Sequence, residues 1–101
     1  MNNIQRFEQY QLTENDYITV DNVGEELKGD WSIFKVDFGK KMFISSLYKD
    51  SLKWNKFTHK YSDVSTLKLS KEYATKVALI NKDRYITHIG IVNDKGVQEI
   101  L

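Results

Sequence analysis

Lysines and aromatic rings alternate through the middle of this chain. Trp31, Phe34, Phe38, Phe43, Tyr48, Trp54 and Phe57 are seven of its thirteen aromatic residues, gathered in about a third of its length. Cations along the phosphates and flat rings under the bases are what hold single-stranded nucleic acid, at about 1–3 kcal/mol per stacked base. The candidate stacking rings are Trp31, Phe34, Trp54 and Phe57. The candidate phosphate contacts are Lys35, Lys40, Lys41, Lys53, Lys56 and Lys60. A competing reading is purely structural, because rings at alternate positions of a strand usually fill a core and the lysines opposite them usually face water.

The lysine excess sets the expected mode of binding. Thirteen lysines stand against two arginines, Arg6 and Arg84. Lysine is a flexible point charge, whereas reading a guanine edge takes the planar fork of arginine, so binding should be tolerant of sequence. It should also weaken with salt, with a slope of about −0.7 per neutralised phosphate for single strands.

Other chemistries find little support. His59 and His88 are far apart, there is no cysteine, and no carboxylate sits at a spacing typical of a zinc site, so neither a metal nor a cofactor is expected. Ser45, Ser46, Ser62, Ser65 and Ser70 lack the glycine-flanked elbow of a nucleophilic serine. Asp21, Glu25 and Glu26 read as solvated acids, and the Gly24–Asp30 stretch follows neither phosphate-binding pattern while its acids would repel phosphate. No enzymatic activity is expected.

The formal charge of +1 conceals a polarity. Residues 1–27 carry a net −5, residues 28–60 a net +5, and residues 61–101 a net +1. Such asymmetry points to nucleic acid or an acidic partner, unless the two segments neutralise each other in the fold.

The elements that must position these residues can be read in outline. A helix is expected over about 71–80, where Leu69, Tyr73, Val77 and Ile80 form a stripe and Ser70 is placed to cap it. A final hairpin is expected from Arg84–Val92 through the turn Asn93–Gly96 to Val97–Leu101, with Gly90 marking a bulge or a close backbone approach. Trp31–Phe38 and Lys41–Tyr48 should form another hairpin around a Gly39-Lys40 turn, with Phe34, Val36 and Phe38 on one face. A short strand is expected at Tyr17–Val20, a loop or helical turn at Asp21–Gly29, and a further strand near Val64–Leu69. Residues 49–63 read as an excursion, and the first dozen residues suit either a short helix with Ile4, Phe7 and Tyr10 on one face or the opening of a strand.

At 101 residues the chain is expected to be a single domain, 1–101. Its fold class is expected to be α+β or mainly β. The order strand, strand, strand, helix, strand, strand suits a small five-stranded, OB-like, partly open barrel with the helix between the third and fourth strands. In that architecture the ligand face lies on the second and third strands, where lysines and rings concentrate here.

No apolar run is long enough for a membrane span, and the polar start MNNIQRFEQYQ is no signal peptide, so a cytoplasmic protein without membrane contact is expected. The leading functional expectation is a small non-catalytic module binding single-stranded nucleic acid. The alternative is an accessory or inhibitor of phage or plasmid type that binds a host protein or nucleoprotein machine. Absence of proline, seven asparagines and nine isoleucines fit the AT-rich genome such an element would have. A third reading is a homo-oligomer pairing through the apolar end Gln98–Leu101.

Overall fold

Two tight turns organise the centre of the chain. In the computed structural model, which describes residues 17–55, 60–86 and 88–101, strand β2 (Lys28–Asp37) turns directly into β3 (Lys40–Tyr48), and β3 into β4 (Ser51–Asn55). Asp37 pairs with Lys40, so the first loop is Phe38-Gly39, one residue earlier than the sequence suggests. Both have positive φ, 51° and 77°, the signature of a type I′ turn, whose twist matches that of the flanking strands. The second loop, Lys49-Asp50, repeats the device without glycine, at φ 50° and 65°.

These strands join β1 (Tyr17–Thr19), β5 (Ile89–Asn93) and β6 (Gln98–Ile100) in one open antiparallel sheet. β3 carries β4 along one edge. Its other edge pairs first with β2 and then with β1, since Phe43 faces both Phe34 and Asn55 while Tyr48 faces both Tyr17 and Ser51. β5 lies between β2 and β6. The fold is a small, mainly β, α+β arrangement with six strands among the described residues, four of them before the helix, whereas five in all, three before the helix, were expected. The additional strand is β4. Only Leu52 and Trp54, on either side of Lys53, mark its inward face, which is too short an alternation to read as a strand. Conversely, the strand expected near Val64–Leu69 is reduced to isolated bridges made by Leu69.

Helix α1 (Lys71–Asn81) covers one face of the sheet. Ser70 Oγ accepts from the Tyr73 amide at 3.2 Å, the expected cap. Tyr73, Ala74, Val77, Ala78 and Asn81 are buried, but Ile80 is half exposed, because the i+4 step from Val77 puts Asn81 on the core face. Under the helix lie Ile33, Ile44, Leu47, Leu52, Ile89 and Ile91. Ile44 and Leu47 share this face although they are three apart, because the pairing with β4 slips by one residue between Ile44 and Ser46.

Alternation along the strands sends Phe34, Phe43 and Val92 to the opposite face, where Val36 and Tyr61 pack against them. The connection from this face to the helix passes between two strands. β2 stays with β3 only over residues 34–37; beyond that they diverge, Leu67 donates its amide to Ile44 O at 3.0 Å, and Leu69 bridges to Lys28 and Trp31.

Candidate nucleic-acid interface

The alternation that builds the sheet divides the lysine and aromatic residues between its two faces. Trp31, Lys35 and Trp54 fall on the helix side, whereas Lys41 and Lys53 fall on the open side. Phe34 is wholly buried, so its ring is core and is unavailable for stacking. Phe38 does not share the face of Phe34 and Val36; it occupies the turn and is 97% exposed. Lys56 and Phe57, like His59 and the first sixteen residues, lie outside the described residues.

On the helix side the rings are already engaged. Trp54 Nε1 donates to the Tyr85 hydroxyl at 2.9 Å, and the two rings meet edge to face. The Lys35 ammonium lies 4.9 Å from the Trp54 ring centroid and 5.2 Å from that of Tyr85, with its side chain only 15% exposed. Trp31 is half-buried against the core, and Lys71 covers its ring at 5.1 Å while pairing with Glu99 at 2.7 Å. A hollow of about 330 Å³ near the start of α1 is lined by Glu26 and Glu72 as well as Lys76, which disfavours a polyanion.

The open side differs. Tyr17 and Tyr48, paired across β1 and β3, pack edge to face with centroids 6.4 Å apart, and each is 41% exposed. The ammonium groups of Lys49 and Lys53 lie 5.3 and 5.7 Å from the Tyr48 centroid, and both side chains are exposed. Lys49 is placed there by the left-handed turn, and Lys53 by the outward phase of β4 between the inward Leu52 and Trp54. Beside Tyr17 a shallow cleft of about 430 Å³ is lined by Thr19, Asp21, Ser45, Ser46 and Ser65, of which Ser45 and Ser65 spend their hydroxyl groups on Lys53 O and Asp63.

Toward the other end of β3, Lys40 is exposed, and Lys41 reaches across to Gln98 Oε1 at 2.6 Å with its ammonium 4.7 Å from the Phe34 ring. Lys60 is exposed. Lys68 is committed to the Tyr61 carbonyl and to Asp94. Sequence reasoning missed Tyr17, Tyr48 and Lys49. All three stand in the chain as ordinary strand or turn residues, and only the β1–β3 register brings the rings together.

No protein-family model matches the chain, and no curated protein or solved structure matches it either. Among the described residues, no three His, Asp or Glu side chains gather as a metal site would require. No helix among them is long and apolar enough to cross a membrane. His88 is exposed and contributes its backbone carbonyl to Val36.

Proposed function

We propose that this domain is a non-catalytic module that holds single-stranded nucleic acid, without sequence preference, on the open face of its sheet. The observation that carries this reading is the half-exposed Tyr17–Tyr48 pair with two lysine ammonium groups around it. A base stacking on either ring gains the apolar contact the tyrosine now offers to water, and the lysines move from the ring to the phosphates on either side. The cations of this face are lysines, which favours charge neutralisation over the reading of base edges. An OB-like use of the sheet, with ligand on the face of its central hairpins, belongs to the same proposal.

Titration with oligo(dT) and with a matched duplex, followed by intrinsic fluorescence at several salt concentrations, tests it. The expected result is preference for the single strand and an affinity that falls steeply with salt. The double variant Lys49→Glu/Lys53→Glu should abolish most of it. Absence of binding at low salt would overturn the reading.

A further inference from the structure

The cleft beside Tyr17 holds two polar groups that the fold leaves unused. Thr19 pairs with Ser46 across β1 and β3, so both side chains stand on the open side, two residues along from Tyr17 and Tyr48. Ser46 is only 5% exposed, yet its hydroxyl has no partner among the described residues, whereas those of Ser45 and Ser65 are bonded. A buried hydroxyl is ordinarily paired, because it gives up water on folding. Ser46 instead lines the cleft and can bond to what enters it.

The second group is the Asp21 carboxylate. The turn that follows β1 fixes its place: Asn22 Nδ2 donates to Tyr17 O at 2.9 Å, Asn22 Oδ1 accepts from Thr19 N at 2.6 Å, and the Asp21 amide donates to Thr19 Oγ1 at 3.3 Å. Those bonds hold the backbone and leave the exposed carboxylate without an ion pair among the described residues.

An acid lining the cleft repels phosphate and attracts a hydroxyl donor, and the serine hydroxyl can donate in return. Tyr17 and the exposed Val20 and Val64 supply apolar walls. A group that both donates and accepts, carried on a sugar beside a base, is the 2′-hydroxyl of a ribose, which separates RNA from DNA. Carboxylates accept from ribose hydroxyls in the same way in dinucleotide sites. A base stacked on Tyr17 brings its sugar to this cleft, while Lys53, paired with Ser46 from β4, remains for the phosphates.

We infer that the cleft receives the ribose of the nucleotide stacked on Tyr17, its 2′-hydroxyl donating to Asp21 and accepting from Ser46, so that the favoured strand is RNA. This rests on the nucleic-acid reading proposed above.

The test compares oligo(U), oligo(dU) and 2′-O-methyl oligo(U) of one length, which share their bases and phosphates, against wild type, Asp21→Ala and Ser46→Ala, with thermal melting of each. Wild type should bind oligo(U) roughly ten-fold more tightly than the other two. The ratio should be the same at every salt concentration, because the 2′-hydroxyl carries no charge. Asp21→Ala should bring it close to one, whereas removal of a merely repulsive charge would tighten all three alike and leave the ratio as it was. Ser46→Ala should lower the ratio several-fold and melt no lower than wild type, since its hydroxyl supports no other group. Equal binding of oligo(U) and oligo(dU) by wild type, or a ratio that survives both substitutions, overturns the ribose assignment and leaves the stacking face in place. If wild type binds none of the three at low salt, the underlying reading falls and this assignment with it.

Discussion

Gly90 sits so close beneath the Phe34 ring that a methyl group in its place would come within 2.8 Å of Phe34 Cζ. The same methyl would lie 2.4 Å from the carbonyl oxygen of Glu99 on β6. Absence of a side chain at one position of β5 thus seats a buried ring of the open-face core and the edge strand together. Gly90→Ala should cost about 2 kcal/mol by overpacking and loosen β6. Denaturant midpoints give the first quantity, and faster amide exchange over residues 98–101 gives the second.

Lys35 and Lys53 are both strand lysines of the basic segment, but their ammonium groups have different surroundings. Lys35 is enclosed by Trp54 and Tyr85, whereas Lys53 is exposed beside Tyr48. Lys53→Met should weaken oligo(dT) binding and reduce the salt slope by about 0.7, the share of one phosphate contact. Lys35→Met should leave the slope unchanged and cost about 1 kcal/mol of stability, the scale of a partly desolvated cation–π contact. Equal loss of slope in both would refute the division of the lysines between the two faces.

Ser32 is completely buried on β2, and its hydroxyl has no hydrogen-bond partner among the described residues. A buried hydroxyl without a partner gives up its water and recovers nothing. Ser32→Ala is therefore expected to be neutral or stabilising by up to about 1 kcal/mol, measured by chemical denaturation. A clear loss of stability would show that the hydroxyl has a partner after all.

Asn81 is the buried polar link between the helix and the β3–β4 turn. Its Nδ2 donates to both Val77 O and Asp50 O at 2.8 Å. Asn81→Ala should cost about 2 kcal/mol through the stranded Asp50 carbonyl and the lost bonds. Because that turn carries Lys49, oligo(dT) binding should weaken as well, although Asn81 lies far from the open face. Unaltered affinity in a folded variant would mean that the turn keeps its shape without this tie.

Local signals in the sequence place α1 within a residue, its Ser70 cap, the last turn and most of the two longest strands, but β2 begins at Lys28 rather than Trp31, and β5 at Ile89 rather than Arg84, which ends a 3-10 turn. They succeed where the information is periodic or where a glycine marks a turn. They fail at β4, which presents only two inward residues, and at the first turn, where Gly39 marks the loop but leaves open which neighbour shares it. The candidate interface is legible in composition and illegible in arrangement. Lys35 and Lys53 look equivalent until β4 is paired with β3 and the slip between Ile44 and Ser46 sets which side faces the helix. Phe34 and Phe38, four apart in the same aromatic run, end at opposite extremes of exposure because the strand stops at Asp37. Tyr17 could be linked to Tyr48 only through a register that depends on distant pairing.

The passage of Leu67 to Leu69 between the diverging β2 and β3 also bears on how the domain comes apart. Both leucines are fully buried, and each is bonded to a strand distant in sequence. The two tight hairpins can close on their own, but this seam must wait for them, since joining remote segments costs more chain entropy than closing a two-residue loop. Once it has closed, the helix hangs from a segment gripped on both sides. Shedding the helix means opening the seam that Leu67 and Leu69 make with β3 and β2, so helix and sheet are expected to melt together.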